Sequence, residues 1–166
     1  MNTFFCENKC CKYHVTNYVP RRPPVYTVVD RKARRRKAGV FVYDPAKNKV
    51  LLVQSRGRLW GPPKGSAEPL ETFEECGRRE LQEETGLTVS EEVFQRPYIL
   101  KSNVTYFAAA ISEGDCEIQM GSGNDANGIG WFDVDCVKKS VEEGKMKINQ
   151  HLRMVFRTFL NIILSK

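Results

Sequence analysis

Short runs of apolar and β-branched residues, separated by turn-forming residues, predict a β-hairpin in the first half of the chain. The two runs occupy residues 38–43 and 50–54, and the segment between them contains Pro45 and Asn48. Runs of this length joined by a turn are typical of an antiparallel strand pair. The glycine- and proline-rich residues 60–70 that follow are predicted to form a loop.

A helix is predicted next, over residues 72–85. Thr72 is a suitable N-cap, because its hydroxyl can accept the N–H of Glu75 while the Glu75 side chain returns the bond. Gly86 supplies the left-handed residue that ends many helices. The remaining predicted elements are a hairpin of residues 98–100 and 104–111, a glycine-rich loop at 121–128, a strand at 129–134, a short helix at 137–143, and an amphipathic helix from about residue 148 that packs on the core. This mixture of strands and helices predicts an α/β (α+β) fold.

The composition favours one globular domain preceded by an arm. The chain has 166 residues, of which 41% are hydrophobic and 28% charged, and its net charge of +6 favours polyanionic partners. We expect residues 1–30, which contain cysteine, proline and arginine, to form an extended N-terminal arm, and residues 31–166 to form the domain. No apolar run is long enough for a membrane span or a signal peptide, so a cytoplasmic location is expected.

Three glutamates on the predicted helix carry the strongest chemical signal. Glu80, Glu83 and Glu84 are spaced i, i+3 and i+4, so they share one face of the helix. Their mutual repulsion is removed by a divalent cation, and oxygen ligands suit Mg²⁺ or Mn²⁺. The carbonyl of Gly65 is a candidate further ligand, and Lys64 is placed to pair with a phosphate oxygen.

These residues lie in a longer pattern that resembles the signature of Nudix hydrolases. Gly65 is followed by five residues, Glu71, seven residues, and then Arg79-Glu80-Leu81-Gln82-Glu83-Glu84-Thr85-Gly86-Leu87. The resemblance covers residues 36 to about 165 and implies an αβα sandwich with a mixed β-sheet and a catalytic loop-helix-loop.

The resemblance also implies cleavage of a nucleoside diphosphate linked to another group, with roles for individual residues. Glu80, Glu83 and Glu84 would hold the metal, and the base that activates water would be Glu83, Glu84 or a loop residue. Many relatives carry a loop glutamate at the position that corresponds to Asp125. The shorter carboxylate here is either that base or a turn residue. Glu71 and Arg79 would form a structural salt bridge, and Gly65 and Gly86 would complete the framework of the box.

The residues around the box narrow the substrate class without fixing it. Trp60-Gly61-Pro62-Pro63-Lys64-Gly65 is similar to loops of messenger-RNA decapping enzymes and of dinucleoside or diphosphoinositol polyphosphate hydrolases. We expect Arg56, Arg58, Trp60 and Lys64 to contact substrate. The basic run at residues 31–37, from Arg31 to Lys37, favours capped mRNA because it can follow a phosphate backbone. A solvated linker is the alternative for that run, and a non-catalytic RNA- or nucleotide-binding module is the alternative for the protein.

The N-terminal cysteines allow a second metal site. Cys6, Cys10, Cys11 and His14 are zinc-type ligands, but they fall within nine residues, which is tight for a four-ligand site. Cys116 or Cys136 are candidates to complete such a site. Free thiols in the arm are the alternative interpretation.

Overall fold

The computed structural model describes residues 2–6, 8–18, 36–95, 98–99, 104–120 and 126–164, with a mixed sheet covered by helices on both faces. The strands in this part of the chain are β1 (Asn2–Phe5), β2 (Lys12–Val15), β3 (Lys37–Asp44), β4 (Lys49–Ser55), β5 (Leu59–Gly61), β6 (Lys64–Ser66), β7 (Tyr98–Ile99), β8 (Val104–Ala110) and β9 (Ala126–Asp133). The α-helices are α1 (Phe73–Thr85), α2 (Val134–Glu142) and α3 (Gln150–Leu164), and short 3-10 turns occur at Glu91–Val93 and Glu113–Asp115.

The strand order is β1-β2-β9-β4-β3-β8-β7, with β5 paired to β4 and β6 paired to β3. The β3–β8 pair is parallel, and the other pairs described are antiparallel. The predicted hairpins β3–β4 and β7–β8 are therefore confirmed. The β3–β4 ladder is short, since it pairs only Tyr43 with Val50 and Asp44 with Lys49 among the described residues. Beyond it the strands separate, and β6 pairs with the start of β3.

Two hydrophobic clusters, one on each face of the sheet, define the αβα layers. Alternate residues of β3 point to opposite faces, so Val40 joins one cluster and Phe41 the other. Leu81 brings α1 onto the first face. Val137 of α2 and Leu152 of α3 cover the second face. The predicted α/β sandwich and the predicted packing of the last helix on the core are confirmed.

The local signals around α1 act as the sequence predicts. The Thr72 hydroxyl accepts the N–H of Glu75 at 3.1 Å, and the Glu75 carboxylate accepts the Thr72 N–H at 3.4 Å. Gly86 ends the helix with φ of 77°, a left-handed conformation that glycine adopts without steric cost. The capping box and Gly86 thus fix the two ends of the helix that carries the three glutamates.

Three of the predicted boundaries are wrong. Residues 60–70 were expected to form a loop, but they contain most of β5 and all of β6. The glycine-rich loop at 121–128 ends earlier than predicted, because β9 already begins at residue 126. Helix α2 starts at Val134 rather than 137, since the Asp133 carboxylate accepts the Cys136 N–H at 2.9 Å and caps it.

The first part of the chain is also corrected. Residues 2–18 were expected to belong to an extended arm, but β1 and β2 form a hairpin, and β2 continues the sheet by pairing with β9. Residues 19–35, which include the predicted boundary at residue 30 and most of the basic run, lie outside the described residues, as does Asp125. Within the described residues, no helix has both the length and the apolar character needed to cross a bilayer.

Candidate active site

The segment from Lys64 to Ser66 runs directly under the glutamate face of α1. A Cβ added to Gly65 would collide with the carboxylate of Glu80, so only glycine lets the strand and this side chain approach so closely. The Gly65 carbonyl accepts a weak bond from the Cys76 thiol, with an S···O distance of 3.6 Å. Gly65 also pairs with Ala38 in the β3–β6 ladder.

Arg79 connects the loop to the carboxylates of the helix. Its guanidinium forms a bidentate ion pair with Glu71, with N···O distances of 2.8 and 3.0 Å, and also donates to the Ser66 carbonyl at 2.9 Å. The same group lies 3.0 Å from a Glu80 oxygen and 3.3 Å from a Glu83 oxygen. The predicted Glu71–Arg79 pair is therefore present. The guanidinium of Arg79 carries a single positive charge, so it neutralises only part of the negative charge of these carboxylates.

Glu84 is partly buried, and its carboxylate is incompletely paired. Its Oε2 has no hydrogen-bond partner, the only buried side-chain N or O atom so placed among the described residues. Burial, followed by repulsion from Glu80, raises the pKa of Glu84 to about 8. Burial also raises the pKa of Glu80. A buried carboxylate oxygen without a donor is costly, and a bound cation is one partner that removes the cost.

Four oxygen donors of this cluster are of the kind that binds a divalent cation. They are the carboxylates of Glu80, Glu83 and Glu84 and the carbonyl of Gly65. The orphaned Glu84 oxygen and the glycine cradle under Glu80 are the observations that support the fit. Hard oxygen ligands are those that Mg²⁺ and Mn²⁺ prefer.

Basic groups face these acids. Burial, followed by the nearby Lys37, lowers the pKa of Lys64, while Glu84 and Glu80 act in the opposite direction. The positive charge of Arg56 also lowers the pKa of Lys64. A site with acids on one side and lysine and arginine on the other can hold a cation and a polyphosphate chain together.

The remaining predicted substrate residues occupy different environments. Arg56 and Gly57 are the central residues of the β4–β5 turn, with φ values of 52° and 70°. The Arg58 N–H donates to the Ser55 carbonyl and closes the turn. Trp60 is only 6% exposed and packs edge-on against Phe132, with ring centroids 4.8 Å apart. Most of the Trp60 side chain is therefore packed in the hydrophobic core.

A cavity of about 470 Å³ lies on the α2 side of this turn. Its wall includes Gln54, Arg58 and Trp60 from the turn strands, and Tyr13 from the N-terminal hairpin. Trp60 and Arg58 thus line the same cavity, whereas the charge of Arg56 acts on Lys64.

Sequence reasoning missed a polar pair close to the acidic cluster. The Tyr106 hydroxyl lies 2.9 Å from His151 Nδ1. Burial, followed by Lys64 and Lys37, lowers the pKa of His151 to about 4, so its ring is neutral near pH 7. Tyr106 is fully buried and does not offer a ring face for stacking a base. The spacing of these residues along the chain gives no signal, because β8 and α3 meet only in the folded protein.

The cysteines of the N-terminal hairpin gather into a cluster whose fourth member is Cys136. Its members are Cys6, Cys10, Cys11 and Cys136, and their sulfur atoms all lie within 4.8 Å of one another. The predicted set with His14 is wrong in that ligand. Alternation along β2 places Tyr13 on the same side as Cys11 and sends His14 to the other face.

Comparisons with known proteins agree with this geometry. The NUDIX domain family matches residues 33–152. Protein 111R of Invertebrate iridescent virus 3, whose name describes it as a hydrolase, is 36% identical over 139 residues, covering 82% of this chain and 80% of its own. The asymmetrical bis(5′-nucleosyl)-tetraphosphatase of Rattus norvegicus is 32% identical over 113 residues, covering 60% of this chain and 76% of its own.

Two further matches come from Caenorhabditis elegans. The m7GpppN-mRNA hydrolase dcap-2 is 31% identical over 105 residues, which are 58% of this chain but 13% of that protein. The crystal structure of an Ap4A hydrolase binary complex matches with a TM-score of 0.56 at 21% identity, over 80% of this chain and 99% of its own. This second match shows the fold alone.

The chain belongs to the Nudix family. The family match and its hydrolase relatives make it a Nudix pyrophosphohydrolase, an enzyme that cleaves phosphoanhydride substrates.

Proposed function

We propose that the protein hydrolyses a phosphoanhydride bond in a 5′–5′ dinucleoside polyphosphate, and that the natural form of this substrate is the cap of an mRNA. The observation that carries the proposal is the acidic face of α1 opposed by Lys64, Lys37 and Arg56. Cations bound by the acidic face on one side and basic side chains on the other can together hold a polyphosphate chain between them.

The proposed metal set is Glu80, Glu83, Glu84 and the Gly65 carbonyl. A divalent cation such as Mg²⁺ or Mn²⁺ bound there supplies charge neutralisation and lowers the pKa of a nearby water. Glu83 or Glu84 accepts a proton from the attacking water as its oxygen bonds to phosphorus. The bridging P–O bond breaks, and the leaving phosphate departs as an anion while Lys64 pairs with a non-bridging oxygen. Arg79 holds the carboxylates in place and does not touch the substrate.

The choice of a capped RNA end rests on two supports. The first is the net charge of +6 together with the basic run at 31–37, which suit a long polyanion. The second is the resemblance to dcap-2, which covers 58% of this chain. Within that run, Arg36 is already engaged by the fold, because it donates to the Glu71 carbonyl at 3.0 Å and lies over the Phe73 ring.

The test compares three substrates in Mg²⁺ and in Mn²⁺: cap-labelled RNA of about 30 nucleotides, the free cap dinucleotide, and diadenosine tetraphosphate. Preferential release of methylated GDP from the long RNA supports decapping. Glu83→Gln should lower turnover about 10²-fold or more, as expected for loss of a metal-binding or proton-accepting carboxylate. Glu74→Gln is the matched control, because it lies nine residues earlier and therefore on the opposite side of α1. Turnover that is unchanged in Glu83→Gln would refute the site.

A free dinucleoside polyphosphate is the second candidate. It is favoured by the rat tetraphosphatase, whose alignment covers 76% of that protein, whereas the decapping relative is covered over only 13%. In the same assay, faster cleavage of diadenosine tetraphosphate than of capped RNA would establish it. A diphosphoinositol polyphosphate serves as a third arm and tests the remaining alternative from the loop sequence.

The contribution of the basic run is tested with Arg34→Ala/Arg35→Ala, which leaves the structural Arg36 in place. For an RNA substrate, KM should rise several-fold and its dependence on salt should become shallower, because two phosphate contacts are lost. Hydrolysis of diadenosine tetraphosphate should not change. Equal effects on both substrates would remove RNA-backbone contact as the role of this run.

A further inference from the structure

A cluster of four thiols lies on the α2 side of the sheet, away from the acidic face of α1. Cys6, Cys10 and Cys11 come from the β1–β2 connection, and Cys136 comes from the first turn of α2. The Sγ atoms of Cys6 and Cys10 are 3.3 Å apart, and those of Cys10 and Cys11 are 3.8 Å apart. The hairpin pairing with β9 brings these segments together, since Lys12 pairs with Trp131.

These separations fit four sulfurs around one metal ion. Zinc–sulfur bonds of about 2.3 Å in a tetrahedron place the sulfurs about 3.8 Å apart. A disulfide needs an S–S distance of about 2.05 Å, and all four cysteines are free thiols here. A set of four sulfurs arranged tetrahedrally is diagnostic of zinc or iron–sulfur chemistry.

The surroundings of the sulfurs supply the further hydrogen bonds that such a site needs. The Asp133 N–H donates to Cys11 Sγ at 3.3 Å. Cys136 lies in the first turn of α2, close to the positive end of the helix dipole. The backbone carbonyl of Cys6 accepts the Lys9 N–H at 2.9 Å, and Lys9 adopts a left-handed φ of 56°.

We propose that Cys6, Cys10, Cys11 and Cys136 bind one Zn²⁺ ion in a structural tetrathiolate site. Four protein ligands close the tetrahedron and leave no position for water or substrate, so the ion has no catalytic role. It fastens the N-terminal hairpin to α2. The fastening matters to the second face of the sheet, because Tyr13 from this hairpin stacks on Phe132 and closes one wall of the cavity beside Trp60.

The experiment measures metal content and needs no enzyme assay. The full chain, purified under reducing conditions without added metal, is analysed for zinc and iron by inductively coupled plasma mass spectrometry. About one zinc per chain is expected. Cys136→Ser and Cys6→Ser should each lower zinc content at least tenfold. The matched controls are Cys116→Ser, a thiol outside the cluster, and His14→Ala, and both should retain zinc.

A second measurement keeps the proposal testable if the cysteine variants fail to fold. Wild-type protein stripped of metal and reduced is titrated with Co²⁺, which should give thiolate charge-transfer and tetrahedral ligand-field absorption that saturates at one equivalent and is reversed by Zn²⁺. No binding by the reduced protein, iron in place of zinc, or full zinc content in folded Cys136→Ser would each overturn the proposal. A disulfide between these cysteines in protein isolated with its thiols trapped would do the same.

Discussion

At the scale of single residues, Arg79 determines how the acidic cluster is arranged. Its guanidinium satisfies Glu71 with two hydrogen bonds and reaches Glu80 and Glu83 with the remaining nitrogen. The Glu84 carboxylate lies beyond its reach and keeps an unpaired oxygen. Arg79 therefore leaves one oxygen of Glu84 unpaired where the proposed cation binds.

Gly65→Ala tests the close approach of β6 to that cluster. The new Cβ would occupy the space of the Glu80 carboxylate, so we expect this side chain to move. The Mg²⁺ concentration for half-maximal activity should rise, and kcat should fall at least tenfold, since displacements near 1 Å are costly in a positioned site. Gly114→Ala is the matched control, because a Cβ there meets nothing within 4 Å. Unchanged metal dependence in Gly65→Ala would contradict the proposed set.

The Glu71–Arg79 pair makes a prediction about pH. Hydrogen bonds from Arg79 lower the pKa of Glu71 from 4.5 to about 2, against the opposing effect of burial. A depressed pKa means that the pair stabilises the fold above pH 4.5, and that this contribution is lost as the pH falls from there to about 2.

Glu71→Gln should therefore lower the unfolding free energy by about 1.5–3 kcal/mol at pH 7, the usual contribution of hydrogen bonds to charged groups. Thermal melts of wild type and variant should converge as the pH falls from 4.5 toward 2. Glu142→Gln, at an exposed position of α2, controls for the loss of one negative charge. A difference between wild type and Glu71→Gln that stays constant down to pH 3 would contradict the role of this pair.

At the scale of elements, the capping box of α1 can be separated from the chemistry of the helix. Thr72→Ala removes the bond from the Glu75 N–H and weakens its reciprocal partner. We expect a loss of about 1 kcal/mol, which corresponds to a Tm lower by about 2–4 °C in a chain of this size. The activity of the folded variant should stay within about twofold, because the glutamates lie in the last two turns. Thr88→Ala, beyond the helix, should leave Tm unchanged.

The same helix shows which elements sequence patterns can predict. Cap, periodicity and terminal glycine of α1 are local signals, and each is found in the structure. Strands β5 and β6 were missed because three-residue strands among prolines have no periodicity of their own. They exist because β4 and β3 offer unpaired edges where those two strands separate. The spacing of the glutamates along the chain identified the candidate metal ligands. The proximity of the positive charges of Lys37 and Lys64, by contrast, depends on the pairing of β3 with β6.

At the scale of the whole molecule, motif spacing does not predict which residues far apart in the chain come into contact. Cys6, Cys10 and Cys11 were recognised as zinc-type ligands, and Cys136 was one of two candidates to complete the set. Spacing could not choose it over Cys116 or His14, because the pairing of β2 with β9 is what brings it to the hairpin. Similarly, Tyr106 on β8 lies beside His151 only because α3 packs against this face of the sheet. Pairing along a sheet carries no fixed sequence separation, so such contacts follow from topology rather than from motif spacing.

Deletion of residues 1–18 tests whether the N-terminal hairpin belongs to the domain. The NUDIX match begins at residue 33, yet β2 covers the edge of β9, and Tyr13 packs on Phe132 and Trp60. Without the hairpin, the β9 edge and an aromatic surface are exposed, so we expect a lower Tm and concentration-dependent association. Lys12→Ala, an exposed change on the same strand, should behave as wild type. Cys136→Ser separates the two contributions, because it keeps the strand pairing while removing one proposed zinc ligand. A truncated chain that stays monomeric in light scattering with an unchanged Tm would place the hairpin outside the cooperative unit.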